Sequence, residues 1–193
     1  MRSTLDKLIS WIGLGLAAVM LVAGGLLTWA SNFVDANVKE QLTAQNITMP
    51  DDAGIAGLEA KADQDALKPF IGQTLENGDQ AKAYADHYIL AHMNKSSGGK
   101  TYSQVSGEAM AAAKADPTSP ETKQLMDLRQ SLFMGSTLRG LLLYGYAFGT
   151  MGKIAGYAAI GAFAAAGLFL VLAFLGLSHA KRVAGKDDKV VTA

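Results

Sequence analysis

The sequence predicts an all-α membrane protein, with two transmembrane helices and a mainly helical extracytoplasmic domain between them. Two runs without a charged side chain, residues 8–30 and 154–177, carry this prediction. A helix crosses the hydrocarbon core of a bilayer with about 20 apolar residues, and both runs exceed that length. The chain between them is polar and holds most of the charge. Two such runs do not fit the core of a soluble domain of this size.

The composition excludes several other classes of protein. The 193 residues include no Cys and four Pro, which excludes a disulfide-stapled fold and a collagen-like repeat. The formal net charge is zero, so the chain has no general attraction to nucleic acid.

The first apolar run, residues 8–30, is interpreted as a transmembrane helix. Trp11 and Trp29 lie near its two ends, and aromatic rings favour the boundary between lipid and water. Its charged start also fits a cleaved signal peptide. The apolar region of a signal peptide spans about 7–15 residues, however, so the greater length favours an anchor that stays in the membrane.

Basic residues outside the two spans predict the orientation. The short tail at residues 1–7 contains Arg2 and Lys7. The tail at residues 178–193 contains Lys181, Arg182, Lys186 and Lys189. Because Lys and Arg accumulate on the cytoplasmic side of a membrane, we expect both termini in the cytoplasm and residues 31–153 outside. The predicted location is the cell membrane.

The first span is predicted to continue as a helix into the outside domain. Val34, Val38 and Leu42 recur every four residues between charged positions, which places them on one helical face. The segment Pro50-Asp51-Asp52 then ends this helix or begins a new turn. The ambiguous stretch that follows contains a short helix around residues 58–67.

Later parts of the outside domain also have helical patterns. The clearest helix is Asp79–Asn94, whose apolar residues share one face, and the segment Asn77-Gly78-Asp79 before it is predicted to supply a turn and an N-cap. Residues 107–115 are predicted to be helical by their Ala content. Thr118 and Glu121 have the spacing of a capping box, from which a last helix can run into the second span.

The stretch that leads into the second span is too long for a single crossing. A helix over residues 140–177 would measure about 57 Å, with Lys153 as its one charge. We therefore divide it at Lys153, which can snorkel to the membrane boundary beside Tyr157. Residues 140–153 are predicted to lie at the outer surface of the membrane or against another protein; the alternative is burial inside their own domain. The candidate contact residues are Leu141, Tyr144 and Phe148.

Small residues at four-residue spacing mark the same helix. Gly145 and Gly149 form one GxxxG pattern and Gly152 and Gly156 form another, while Gly161 continues the small-residue spacing. Small residues let helix backbones approach closely in lipid. We expect a contact with the first span or with a partner, although Gly and Ala are also common in membrane helices that make no specific contact.

The chain is predicted to have no catalytic site or cofactor of its own. The spans contain none of the charged residues or His that ion and proton paths need. His87 and His92 are five residues apart, whereas two ligands of one metal on a regular helix need three or four. The sequence contains no phosphate-binding loop, G-x-S-x-G, H-E-x-x-H or Cys-x-x-Cys-His motif.

Several short segments resemble a family of small actinobacterial membrane proteins with two spans and an outside loop. The segments are Gln45–Asp52, Ala83–Ala85, His92, Gly99–Tyr102 and Ser131–Arg139. Members of that family are sometimes labelled aromatic ring-opening dioxygenases, but the iron ligands for that reaction are missing here. At 20.2 kDa, the chain is similar to the accessory subunit of the actinobacterial cytochrome bcc–cytochrome oxidase supercomplex. The resemblance implies that heme, copper, iron–sulfur clusters and menaquinone belong to partner subunits.

The leading hypothesis is therefore a non-catalytic accessory subunit of a membrane complex, acting in assembly or stabilisation. Its expected partners are membrane lipids and other integral membrane subunits. The alternative is a free-standing envelope protein whose outside domain binds or senses a ligand or lipid. An enzyme would require a site completed by another chain.

Overall fold

The structure, a computed structural model, describes residues 2–191 and the side chains of residues 4–183. This part of the chain is mainly helical, as predicted, with an isolated antiparallel bridge between Thr48 and Thr74. The helices are α1 (Arg2–Ala44), α2 (Asp52–Ala56), α3 (Lys61–Leu67) with a 3-10 turn (Lys68–Phe70), α4 (Gly78–Ala83), a π-helical turn (Tyr84–Ile89), α5 (Leu90–Ser97), α6 (Tyr102–Ala115) and α7 (Pro120–Val191). The side chains of Arg2, Lys186 and Lys189 in the predicted tails lie outside the described residues.

Helices α1 and α7 are long and apolar enough to cross a membrane. In the most apolar 18-residue stretch of each helix, only 17% is buried inside the protein. The core helix of a soluble domain would instead be mostly covered by its own protein. Both helices also exceed the length of a crossing, since 43 and 72 residues correspond to about 65 and 108 Å of helix.

The chain forms two compact units. The span unit comprises Met1–Phe33 and Met151–Ala193, and the central unit comprises Val34–Thr150. The limits of the central unit lie close to residues 31 and 153, the predicted ends of the outside domain.

In the span unit the two long helices pack antiparallel through a seam of small residues. Gly13 lies beside Ala173, where a built Cβ would be 3.5 Å from the Ala173 Cβ, and Gly24 lies against the Phe163 ring. The seam residues repeat every seven positions, as in a left-handed helix pair. They are Ser10, Ala17, Gly24 and Ser31 on α1, and Gly152, Ala159, Ala166, Ala173 and Ala180 on α7.

The apolar core of the central unit brings distant parts of the chain together. The end of α1 contributes Val38 and Leu42, and α7 contributes Leu142, which is 2% exposed. The short helices and loops between them supply the rest of this cluster, namely Met49, Ile55, Leu58, Leu67, Leu75, Ala81, Ala83 and Ala85. The predicted continuation of α1 as a helix is confirmed, and its stripe of Val and Leu faces this core.

Side-chain caps begin most of the helices in the central unit. Asn77 accepts a hydrogen bond from the Gln80 N–H, and the Gln80 side chain in return accepts one from the Asn77 N–H, which confirms the predicted cap of α4. The predicted cap at Thr118 is wrong. Ser119 accepts the N–H of Thr122 at 3.1 Å and caps α7, because Pro120 occupies the first helical position.

The predicted regular helix over Asp79–Asn94 is interrupted. Residues Tyr84–Ile89 form a π-helical turn between α4 and α5. The extra residue changes the angular spacing, so the argument from a regular helix does not apply to His87 and His92. The helix ends at Gly98, whose φ of 63° is readily adopted by glycine.

The chain on both sides of Lys153 forms one continuous helix. Helix α7 runs unbroken through residues 140–177, which contain no Pro that would remove a backbone hydrogen bond. Residues 140–153 are therefore part of one long helix. Their position at a membrane surface remains a prediction.

Candidate functional site

One face of α7 closes the core of the central unit. Leu142 is buried, and the Leu42 side chain lies 3.2 Å from where a Cβ of Gly145 would stand. Gly149 is buried beside Gly78, whose Cα lies 3.5 Å from where its Cβ would stand. The predicted glycine pair at 145 and 149 thus contacts parts of its own chain.

The approach of α4 to α7 depends on Gly78 in particular. A Cβ at Gly78 would lie 3.0 Å from the Cα of Tyr146 and 3.2 Å from the carbonyl oxygen of Gly145. Both neighbours are backbone atoms of a helix, so they cannot move aside as a flexible side chain can. Sequence reasoning assigned Gly78 only to a turn.

A neighbouring face of α7 carries exposed apolar side chains. Leu141, Tyr144 and Phe148 are 61%, 65% and 54% exposed, and Met134 is 62% exposed. Met134, Leu141 and Phe148 recur every seven residues, with Tyr144 between two of them, so they form one stripe along the helix. We call these four residues the outer stripe. The sequence predicts that residues 140–153 are either exposed or buried in their own domain. One face of the helix in this segment is buried, and another face is exposed.

The remaining predicted glycines lie in the span unit. Ser31 Oγ donates to the carbonyl oxygen of Gly152 at 2.8 Å, and it lies 3.1 Å from where a Cβ of Gly156 would stand. This pair contacts the first long helix, one of the two alternatives that the pattern left open. Gly161 is exposed and would have no described atom within 4 Å of an added Cβ.

The predicted boundary residues are exposed. Trp29 stacks on Phe33 with ring centroids 5.6 Å apart. The exposed set comprises Trp11, Trp29, Lys153, Tyr157, Lys181 and Arg182. Exposure is compatible with contact to lipid or water, and their role as boundary anchors remains a prediction.

A charged cluster that sequence reasoning missed joins α7 to the π-helical turn. Asp86, 19% exposed, accepts hydrogen bonds from Lys82 and from Arg139, the latter at 2.7 Å. Lys82 also lies over the Tyr146 ring, 5.3 Å from its centroid. The Nε of Arg139 is buried and has no hydrogen-bond partner among the described residues. No periodic pattern in the sequence pairs these residues.

The cluster shifts the ionisation of its members. Burial raises the pKa of Asp86, but the hydrogen bonds from Lys82 and Arg139 outweigh burial and hold that pKa below its ordinary value. The hydrogen bond to Asp86 raises the pKa of Lys82. At neutral pH the cluster is therefore fully charged, with one more positive than negative group.

A cleft of about 610 Å³ lies beside α3 and α5. His92, Asn94 and Lys95 line one side, and Glu59 and Asp63 line the other. Its size is within the range of small-molecule sites. Its lining combines these polar side chains with apolar ones such as Leu58 and Ala91.

The two His residues of this region have separate partners. His87 Nδ1 hydrogen bonds to Asp63 Oδ1 at 2.8 Å, and His92 Nδ1 donates to the Tyr88 carbonyl at 2.8 Å. The ring centroids of Tyr88 and His92 lie 4.5 Å apart. Within residues whose side chains are described, no group of three His, Asp or Glu is placed to hold a metal ion.

Comparison with known proteins adds no relative: no protein-family model, no curated protein and no solved structure matches this chain.

Proposed function

We propose that this chain is a membrane-anchored, non-catalytic accessory subunit of a larger membrane complex. The single observation that carries the proposal is the outer stripe, Met134, Leu141, Tyr144 and Phe148, which is exposed in the central unit. Aromatic and large aliphatic side chains at one face of a helix are typical of a contact with another protein. The exposed apolar windows of α1 and α7 support the membrane anchor.

The proposed topology places both termini in the cytoplasm and the central unit outside the cell membrane. It rests on the basic residues of the two tails, among them Lys7, Lys181 and Arg182. The chain has no Cys, so a single introduced Cys reports its own position. Cys at Gly107, an exposed position of α6, should react with a membrane-impermeant maleimide in intact cells, whereas Cys at Ser178 should react only after lysis. The reverse pattern would contradict the orientation.

The specific complex proposed is the actinobacterial cytochrome bcc–cytochrome oxidase supercomplex. The resemblance of the segments around Gln45–Asp52 and Ser131–Arg139 is the reason for this choice. In that complex the chain would stabilise or help assemble partner subunits, which would hold the heme, copper, iron–sulfur and quinone groups.

Affinity purification in a mild detergent tests both parts of this proposal. The wild-type chain should recover cytochromes, seen by heme absorbance, and the double variant Tyr144→Ser/Phe148→Ser should lose them. Met110→Ser is the control, because Met110 is a similarly exposed apolar residue on α6. Recovery of the wild type without any cytochrome would reject the respiratory assignment. Unchanged recovery with the double variant would show that the outer stripe is not the contact surface.

Point substitutions are preferable to removal of residues 140–152. The same segment supplies Leu142, Gly145 and Gly149 to the core of the central unit. Its deletion would therefore disturb the fold together with any interface, and loss of binding would have two causes.

The cleft beside α3 and α5 favours a second candidate function. The chain would then be a free-standing envelope protein that binds a small polar ligand. Lys95 and Glu59 form an ion pair of 3.5 Å at this cleft, and Asn94 adds hydrogen-bonding groups. A panel of sugars, amino acids and phospholipid headgroups can be screened by thermal shift of the full chain. A shift that Asn94→Ala abolishes would support this candidate, and no shift from any member would count against it.

A further inference from the structure

A narrow apolar groove lies along the paired helices of the span unit. It has a volume of about 280 Å³ and is lined by the segments 6–16 of α1 and 169–176 of α7. Gly13 and Gly176 contribute no side chain there, while Leu16 and Leu172 border it and remain 41% and 53% exposed. The groove is therefore open along the outside of the helix pair.

The groove ends in polar groups on one side. Asp6 lines that end, and its Oδ2 pairs with His179 Nδ1 at 2.9 Å. Lys7, Lys181 and Arg182 belong to the same end of the two helices and are exposed. Lys7, Lys181 and Arg182 outnumber the carboxylate of Asp6 at this end of the helix pair, which gives that end a positive charge.

We propose that this groove holds one acyl chain of an anionic phospholipid, with the phosphate beside Lys7, Lys181 and Arg182. The inference rests on the proposed placement of α1 and α7 in a membrane, because only there is the surrounding medium made of acyl chains. The stretch from Ile9 to Leu16 follows the helix for about 10 Å, so an extended chain can lie parallel to it. The basic end complements an anionic headgroup, and the exposed parts of Leu16 and Leu172 offer apolar contacts along the groove.

Photolabelling of the full chain in lipid nanodiscs tests the proposal. The nanodiscs contain phosphatidylcholine and a trace of phospholipid with a diazirine in its acyl chain, carrying either a phosphatidylglycerol or a phosphatidylcholine headgroup. Mass spectrometry then locates the adducts. We expect adducts of the phosphatidylglycerol probe to concentrate on segments 9–16 and 169–176, and the phosphatidylcholine probe to label them several-fold less.

Two variants fill the groove from opposite walls. Leu16→Trp adds bulk to the groove from α1, and Leu172→Trp does so from α7, because both residues line the groove and are partly exposed. Each should lower labelling of the groove about fourfold for every methylene that is excluded, since burial of one methylene contributes roughly 0.8 kcal/mol. Gly15→Leu is the matched control, because Gly15 is exposed on the same helix with no described atom within 4 Å of an added Cβ. It should leave groove labelling unchanged.

Three outcomes would overturn the proposal. Adducts spread evenly over all exposed apolar positions would mean ordinary boundary lipid, and equal labelling by the two probes would remove the role of the headgroup. Unchanged labelling in both Leu16→Trp and Leu172→Trp would show that the groove is not the binding site. If the chain fails to enter nanodiscs at all, the membrane placement itself fails, which flotation on a density gradient reveals separately.

Discussion

Arg139 on α7 donates a hydrogen bond to Asp86 on the π-helical turn at 2.7 Å, although the two residues are 53 positions apart in the chain. Both side chains are largely withdrawn from water, with exposures of 33% and 19%. The pair therefore fixes one helix against another at a place where the neighbouring contacts involve glycine and small side chains.

Removal of the Asp86 charge should loosen this junction. In Asp86→Asn, Lys82 and Arg139 lose their shared carboxylate, and we expect the local free energy of unfolding to fall by about 1–3 kcal/mol. Hydrogen-exchange mass spectrometry of the full chain in detergent would show faster exchange across residues 84–97.

Asp65→Asn is the matched control for this experiment. Hydrogen bonds from Lys68 and Lys61 lower the pKa of Asp65 to about 2. The Asp65 side chain is nevertheless exposed, at 49% against 19% for Asp86, so water and salt screen its ion pairs and we expect no measurable change in exchange. Equal effects of the two substitutions would contradict the importance of burial at Asp86.

Because of this cluster, we expect the stability of the folded chain to fall at low pH, where Asp86 is protonated, and at high pH, where Lys82 loses its proton. The folded pKa of Asp86 is lowered, so its contribution to stability is present above the unfolded value of about 3.9 and is lost as the pH falls through the folded pKa. The folded pKa of Lys82 is raised, so its contribution is present below about 10.4 and is lost as the pH rises through the folded pKa.

Thermal unfolding of the full chain between pH 2 and 12 would measure this dependence. Comparison with Asp86→Asn isolates the cluster, because the variant should lose stability less steeply than the wild type at both extremes. Parallel curves for the two proteins would show that the cluster does not contribute.

Gly78→Ala should destabilise the central unit. The added methyl group would meet the backbone of Tyr146 and Gly145, and α4 must move away from α7. Overpacking of this kind costs about 1–3 kcal/mol. A lowered melting temperature would be accompanied by faster exchange in α4.

Gly107→Ala provides the opposite expectation in the same unit. Gly107 lies within α6 with no described atom within 4 Å of an added Cβ. Replacement of a helical glycine by Ala at an open position stabilises by about 0.5–1 kcal/mol. If both variants changed the melting temperature in the same direction, the close contact at Gly78 would not be the cause.

The antiparallel seam predicts a disulfide between the two long helices. A Cβ at Gly13 would lie 3.5 Å from the Ala173 Cβ, at the short end of the range for a disulfide. The double variant Gly13→Cys/Ala173→Cys should oxidise readily and lose reactivity toward a maleimide–polymer reagent. Gly15→Cys/Ala173→Cys should stay reactive, and protection of this second pair would contradict the register.

Local features of the chain are the ones that its residue pattern predicts correctly. The apolar lengths of residues 8–30 and 154–177 identify the two long helices, because mean hydropathy over a helix depends on composition alone. The segment Asn77-Gly78-Asp79 is identified as a helix start, and the structure assigns the cap to Asn77 with Gln80 as its partner. Thr118 fails as a cap because an equally suitable Ser stands one residue later, directly before Pro120.

The predicted division at Lys153 between a membrane-surface segment and the second span stays a prediction. A charged residue such as Lys153 in an apolar stretch indicates the boundary between membrane and water. A helix can cross that boundary without a break, as α7 is continuous through Lys153. The four-residue spacing of small residues leaves the partner of Gly152 open. The small residues on α7 also repeat every seven positions, starting at Gly152. In the structure, Gly152 lies in the seam with α1.

The sequence by itself determined that the chain is helical, that two helices are long and apolar enough to cross a membrane, and that the central part is bounded by them. These properties follow from residue type and short-range spacing. Only the tertiary structure decided which face of α7 is covered by Leu42 and Gly78 and which face exposes Leu141, Tyr144 and Phe148. It also decided the pairing of Asp86 with Arg139. Such relations depend on packing between segments far apart in the chain, which no local pattern encodes.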